Sequence, residues 1–216
     1  MAQTADQLRV IFLPGMQGDT PGDRWFVKGL IEGGATDSRL FDWTESWWAM
    51  KNLHDRDGHR RAAEKLAGKL QQLSEEDPHK TTILIGHSTG AMVILDILPL
   101  LQADLIDQAW LLNAAVSRGY DLTAALPGAR RIVNLYSKND WVVLNLGTKL
   151  FGTADGSHEA SAGHEPFDGP GSGDARLEQL PYDPAWAKTG HLGLHTTFVF
   201  KHFSRDVLLP MILERT

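Results

Sequence analysis

A serine between two glycines is the clearest chemical signal in the chain. The segment Gly-His-Ser-Thr-Gly at residues 86–90 fits the pattern Gly-x-Ser-x-Gly. The apolar run at 81–85 before it predicts a buried strand, and the apolar segment from Ala91 predicts a helix. A tight turn between such elements holds a serine hydroxyl exposed, close to the positive end of a helix. The pattern therefore predicts that Ser88 is a nucleophile; a glycine-rich turn in which it only caps the helix is the alternative.

A serine hydroxyl is a weak nucleophile until a base takes its proton and a third group orients that base. Residues 131–137 predict another buried strand, and Asp140 follows its carboxyl end, where residues of parallel sheets face ligands. We predict Asp140 as the orienting acid, with an ordinary turn aspartate as the alternative. Two other acids come next if Asp140 does not serve: Asp121 and Asp174.

The negative charge that develops during acyl transfer needs two backbone N–H donors. We expect one from Thr89, directly after the serine. The other should come from the loop at 14–19, Pro-Gly-Met-Gln-Gly-Asp, which follows the first predicted strand. Met16 is the first choice and Gln17 the second, because Gly15 beside them frees the backbone to turn inward. The alternative is a plain turn.

Strand-like and helix-like segments alternate along the chain. Residues 8–13 form a short apolar, β-branched run that predicts a buried strand, and further strand-like segments lie at 38–43, 81–85, 109–115, 131–137 and 176–180. Helical spacing or apolar character predicts helices at 24–31, 58–73, 91–101 and 199–213. This alternation implies βαβ crossovers and a mostly parallel sheet with helices on both faces. The sequence therefore predicts a single α/β domain over residues 1–216.

The composition argues against several classes of protein. The formal net charge is −6 and the Lys and Arg residues are scattered, which disfavours a nucleic-acid partner. The absence of cysteine excludes disulfides, thiolate metal sites and a cysteine nucleophile. The N-terminus is polar, and no run approaches the roughly 18 apolar residues of a spanning helix. We therefore expect a cytoplasmic protein with no membrane partner.

Taken together, four segments resemble the α/β-hydrolase superfamily: Leu-Pro-Gly at 13–15, the 86–90 motif, Ser-Lys-Asn-Asp at 137–140 and Gly-His at 190–191. The chain looks most similar to small, lidless bacterial serine hydrolases, over residues 8–203. The resemblance implies the α/β-hydrolase fold and a serine esterase or thioesterase that acts on a small ester or acyl substrate without a cofactor. Two departures are expected: the usual N-terminal antiparallel strands and the inserted lid domain are missing.

The superfamily's order of serine, acid and histidine implies a base after the last strand. Two histidines lie there, His191 and His195, four residues apart. We predict His191 as the base, because Gly190 frees the loop before it. His195 lies where a helix is expected to have begun, which would fix its side chain on the helix surface. If His195 is the base instead, the prediction is wrong by one helical turn.

The same two histidines have the i, i+4 spacing of zinc ligands, and His158 and His164 could join them. The glutamate of the zinc-protease motif is missing, because Leu192 follows His191. We therefore predict no metal.

A glycine-rich segment at 145–175 contains Pro166 and Pro170 and lacks apolar periodicity. We expect this segment to be mobile and to border the site, where it could act as a lid. Trp141 is expected to shape the site. A dense set of tryptophans near the start of the chain is expected to pack in the core or in loops, with an acyl-pocket wall or a partner surface as alternatives: Trp25, Trp43, Trp47 and Trp48.

Two other functions use the same residues differently. A noncatalytic binding protein could keep a hydrolase scaffold, since a fold does not fix a function. A cofactor-free lyase or haloperoxidase could use the same three side chains for another reaction. Rapid ester turnover would favour the hydrolase over both.

Overall fold

One parallel sheet organises the chain in the computed structural model, which describes residues 3–140 and 152–216. Trp141 and residues 145–151 of the glycine-rich segment lie outside the described residues. The strands of the described part are β1 Leu8–Leu13, β2 Asp37–Leu40, β3 Thr81–His87, β4 Ile106–Leu112, β5 Ala129–Tyr136 and β6 Leu177–Pro181. They lie in the order β2-β1-β3-β4-β5-β6, and each neighbouring pair is parallel.

Helices cover both faces of this sheet. They are α1 Pro21–Glu32, α2 Ala49–His54, α3 Arg56–Glu76 and α4 Thr89–Ile97. A C-terminal helix, α5, is formed by three consecutive segments, Lys201–Phe203, Ser204–Leu208 and Leu209–Leu213, the middle one a π-helical turn. None of the helices in the described ranges has the length and apolar character needed to cross a bilayer.

The two faces of β1 show why five of its six residues are apolar. Ile11 and Leu13 belong to the core that α3 and α4 cover, whereas Leu8, Val10 and Phe12 belong to the core on the opposite face, with α1 and α5. Successive side chains of a strand point to opposite faces, so a strand covered on both faces is mostly apolar. The exception in β1 is Arg9, which is buried and pairs with Asp37 of β2 at 3.6 Å. The predicted fold, a parallel sheet with helices on both faces, is confirmed.

The glycine-rich segment is packed over the described part of its length, residues 152–175. The N–H groups of Ala154, Ala162 and Gly163 donate to carbonyls of residues 114–116, at 2.7–3.0 Å. Arg118 binds the carboxylates of Glu165 and Asp168. The connection after β4 therefore supplies backbone partners for residues 154–163, and the mobility of the segment stays a prediction.

Candidate active site

Ser88 occupies the sharp turn between β3 and α4 at the carboxyl edge of the sheet. Its φ of 55° and ψ of −118° lie outside the regions that residues with a Cβ normally adopt. The Ser88 N–H donates to the carbonyl of Leu112 at 2.9 Å, and the Ser88 carbonyl accepts from the N–H of Ala115 at 3.1 Å. The end of β4 therefore holds the strained turn in place on both sides.

The two glycines of the motif are required by backbone packing. A Cβ on Gly86 would lie 2.7 Å from the amide nitrogen of Ala91, and one on Gly90 would lie 2.4 Å from the carbonyl oxygen of Leu13. Both distances are too short for a carbon atom, so any larger residue would push α4 away from the strands. The spacing of the motif thus follows from how closely α4 approaches β3 and the end of β1.

A chain of hydrogen bonds joins Ser88 to a histidine and an aspartate. Nε2 of His195 lies 3.0 Å from Oγ of Ser88, and Nδ1 of the same ring lies 2.7 Å from Oδ2 of Asp140. The Asp140 side chain is 3% exposed and that of His195 is 14% exposed. A carboxylate accepts the Nδ1 proton, which leaves Nε2 unprotonated and turned towards the hydroxyl.

His191, the base predicted from the sequence, does not take part in this chain. Its ring is fully buried, and Nδ1 lies 2.8 Å from Oγ1 of Thr197. Four aromatic rings surround it, with centroids 4.0–5.8 Å away: Tyr182, Trp186, Phe198 and Phe203. Burial lowers the pKa of His191 to about 3, so the ring stays neutral in the core.

The reason for this correction lies in the backbone of the loop. Gly190 has a φ of 85°, and the turn it makes sends His191 inward rather than towards Ser88. The helix expected from residue 199 begins at Lys201, and a separate 3-10 turn, His195–Val199, precedes it. His195 opens that turn, which brings its ring to the edge of the sheet.

Asn113 is a site residue that the sequence analysis missed. It follows β4, is fully buried, and its Nδ2 donates to Oδ2 of Asp140 at 2.6 Å. The same carboxylate oxygen accepts from His195, so Asn113 helps to orient it. Its φ of 45° is left-handed, a conformation that asparagine tolerates better than most residues. An asparagine directly after a parallel strand was the available signal.

The loop after β1 packs beside Ser88 and is held by two side chains. Trp43 donates its Nε1 proton to the carbonyl of Pro14 at 2.7 Å, and Asn52 donates to the carbonyl of Met16 at 3.0 Å. A Cβ on Gly15 would lie 3.4 Å from Cβ of Ser88, so the loop backbone runs within about one carbon atom of contact with the serine. These contacts fix the loop against the turn that carries Ser88.

The N–H groups that were expected to bind an oxyanion stand close to this junction. Thr89 is the first residue of α4, whose first N–H groups have no partner within the helix. The N–H groups of Met16, Gln17 and Thr89 have no acceptor among the residues that the structure describes. These N–H groups are therefore uncommitted within the described residues, and their role as oxyanion donors stays a prediction.

The remaining sequence candidates lie in other surroundings. Among the four early tryptophans, Trp43 is buried, whereas three are exposed: Trp25, Trp47 and Trp48. Within residues 3–140 and 152–216, no group of three or more His, Asp or Glu side chains is arranged to hold a metal ion. Because His191 faces the aromatic core and His195 faces Ser88, the i, i+4 pair does not converge.

Comparison with known proteins identifies the fold. No protein-family model matches the sequence, and no curated protein matches it either. Among solved structures, a Xanthomonas campestris pv. campestris protein assigned to the alpha/beta hydrolase superfamily superposes with a TM-score of 0.56 at 14% identity, over 95% of this chain and 98% of the other.

Two enzymes with named activities superpose similarly. A thioesterase from the prodiginine biosynthetic pathway of Streptomyces coelicolor gives a TM-score of 0.53 at 11% identity, over 97% of this chain and 86% of the other. A dienelactone hydrolase from Anabaena variabilis gives 0.52 at 16% identity, over 95% and 83%. At such identities the superposition carries the architecture alone. The chain has the α/β-hydrolase fold.

Proposed function

We propose that this protein is a serine hydrolase that cleaves an ester or a thioester through an acyl-enzyme on Ser88. The observation that carries the proposal is the alignment of His195 and Asp140 with a serine that is held on a strained turn. The Ser88 hydroxyl lies 3.0 Å from Nε2 of His195, whose other nitrogen lies 2.7 Å from the carboxylate of Asp140. Nucleophile, base and orienting acid in this geometry define the serine triad.

In the proposed reaction, His195 takes the hydroxyl proton as Oγ of Ser88 attacks the carbonyl carbon of the substrate. The carboxylate of Asp140 stabilises the imidazolium that forms. The N–H groups of Met16 and Thr89 donate to the carbonyl oxygen while it carries negative charge. His195 then protonates the departing oxygen or sulfur. A water molecule, deprotonated by the same ring, releases the acyl group as an acid and restores Ser88.

The substrate class follows from the site and from the structural neighbours. The triad attacks an acyl carbon, and the neighbours include a thioesterase and a dienelactone hydrolase. We therefore propose a small-molecule ester or acyl thioester as substrate, cleaved without a cofactor. The chain contains no cysteine, which is compatible with the reducing cytoplasm, where we place the activity.

A covalent label tests this proposal. A fluorophosphonate should modify Ser88 in the folded protein, and the adduct should disappear in Ser88→Ala. The matched control is Ser161→Ala, which removes a buried hydroxyl that makes no hydrogen bond to the three side chains and should leave labelling unchanged. An adduct mapped to another serine, or no adduct at all, would contradict the proposal.

An ester and thioester panel, graded by acyl length, tests turnover. We expect hydrolysis by the wild type and a loss of several orders of magnitude in Ser88→Ala. Labelling of Ser88 without turnover of any ester or thioester would favour the noncatalytic scaffold or the lyase and haloperoxidase alternatives.

A further inference from the structure

His87, the residue directly before the nucleophile, makes a contact that the proposed reaction does not use. It ends β3, is buried, and its Nε2 lies 3.0 Å from the backbone carbonyl oxygen of His195. The two imidazole rings also pack together, with centroids 4.9 Å apart and planes at 43°. His195 is therefore held at two places, by its ring on Ser88 and Asp140 and by its backbone on His87.

The hydrogen bond fixes the protonation of His87. A carbonyl oxygen can only accept, so Nε2 of His87 must carry the proton that it donates. Burial, reinforced by the neighbouring His195, lowers the pKa of His87 to about 3, so its ring is neutral at ordinary pH. Its single N–H is committed to the carbonyl, and the ring adds no positive charge beside His195 when His195 takes up a proton.

The loop that carries His195 needs such an attachment. Gly190 and Gly193 both have positive φ values, 85° and 73°, so the chain changes direction twice within four residues. The residues before His195 are tied down by separate contacts: Tyr182 donates to the carbonyl of His191 at 3.0 Å, and Asn139 donates to that of Leu192 at 3.3 Å. His87 supplies the contact at His195 itself, from the strand that also carries Ser88.

We propose that His87 is a positioning residue for His195. Its N–H and its ring hold the His195 backbone at a fixed distance from the nucleophile turn, so that Nε2 stays on Ser88 while Nδ1 stays on Asp140. Because His87 and Ser88 are adjacent, one strand end sets both the nucleophile and the place of its base. The expected change in kcat rests on the proposed function. The expected change in proton exchange rests only on the hydrogen bonds of His87 and His195.

Two nearly isosteric substitutions separate the hydrogen bond from simple filling of space. His87→Gln keeps an N–H that can reach the carbonyl, whereas His87→Met fills similar volume without a donor. We expect His87→Met to lower kcat by about 10-fold to 100-fold with KM changed less than about 2-fold, because misplacing a catalytic group acts on the chemical step. His87→Gln should retain kcat within about 3-fold of the wild type.

A control addresses the loss of a buried hydrogen bond as such. Gln108 donates its Nε2 proton to the carbonyl of Ile212 at 3.0 Å, far from the carboxyl edge of the sheet. Gln108→Met should lower the free energy of unfolding without lowering kcat. If His87→Met does not fold, His87→Asn replaces it, since that shorter amide falls short of the carbonyl and is expected to behave in the same way.

Solvent exchange of the Nδ1 proton of His195, followed by NMR, gives a readout that does not require turnover. The signal should persist in the wild type and in His87→Gln and should exchange faster in His87→Met. If the wild type hydrolyses no substrate, the proposed function fails, and the exchange measurement still decides the role of His87. Equal exchange in the Gln and Met variants, together with equal kcat where turnover exists, would overturn the inference.

Discussion

The nucleophile turn at 86–90 and the base loop at 190–199 meet at Ser88, but they are built by different means. In the turn, Gly86 and Gly90 are forced by contacts with backbone a few residues away and with the end of β1. In the loop, the turn at Gly190 sends His191 inward among aromatic side chains from several elements, and His195 opens a 3-10 turn beside Ser88. The conformation of the turn can therefore be predicted from a five-residue pattern, whereas the directions of the two histidine side chains in the loop cannot.

His191 and His195 show what this difference does to two residues of the same type. One ring is packed among four aromatic side chains and is kept neutral by burial, whereas the other bridges a hydroxyl and a carboxylate. Neither residue type nor spacing distinguishes them. The residues around each ring determine its role. A substitution at His195 should therefore lower activity more than stability, and one at His191 should lower stability more than activity.

The largest expected effect is on turnover in His195→Ala, matched with His191→Phe. Removing the base should lower kcat/KM by about 10⁵-fold, comparably to Ser88→Ala, because triad members act as a unit. His191→Phe keeps an aromatic ring in an aromatic cage and should retain measurable turnover while losing stability. The measurements are steady-state kinetics and denaturant unfolding on both variants. Reversed outcomes would return the base to His191 and break the comparison.

Asp140→Asn comes next in size. The amide can no longer accept the Nδ1 proton as a carboxylate does, so the ring loses its orientation and its charge partner. We expect kcat to fall by about 10⁴-fold with the fold intact, as judged by circular dichroism. The control is Asp174→Asn. Asp174 was an alternative candidate for the acid, and it precedes β6, away from the strand ends that meet at Ser88. A silent Asp140→Asn would contradict the assignment of the acid.

Asn113→Gly probes the support behind that acid. Glycine accepts the φ of 45° without strain, so this substitution removes the buried side chain and its hydrogen bond to Asp140 while keeping the backbone conformation. A hydrogen bond to a charged group contributes about 1.5–3 kcal/mol, which corresponds to roughly a 10-fold to 100-fold loss of kcat if the carboxylate loosens. Asn113→Asp places a second carboxylate beside Asp140 and should be at least as damaging. Unchanged kcat in both variants would leave Asn113 with a purely structural role.

The sequence predicted the sheet, the turn that holds Ser88 between β3 and α4, and the position of Asp140 after β5, because each depends on local patterns. The run before Ser88 is apolar at every position because both faces of β3 are covered, and this is visible without any tertiary information. Asn113 and His195 depend instead on which loops meet at the sheet edge. Their partners lie 27 and 107 residues away in the chain, at distances where no residue pattern indicates contact.

The smallest effect concerns stability in acid, and it tests the burial that separates the two histidines. The pKa values of His87 and His191 are lowered to about 3, from about 6.5 in an unfolded chain. Between these values the unfolded chain binds a proton at each ring and the folded protein does not. The free energy of unfolding is therefore highest, as far as these two rings are concerned, above about pH 6.5. It falls as the pH is lowered, by up to about 1.4 kcal/mol per pH unit for each ring.

Denaturant unfolding at a series of pH values below neutrality should show a shallower pH dependence of the free energy of unfolding in His191→Phe than in the wild type, by about one proton. His79→Gln, at an exposed histidine, should leave the slope unchanged. Equal slopes in His191→Phe and the wild type would mean that the His191 ring takes up protons in the folded state, and the contrast between a buried and a reactive histidine would then fail.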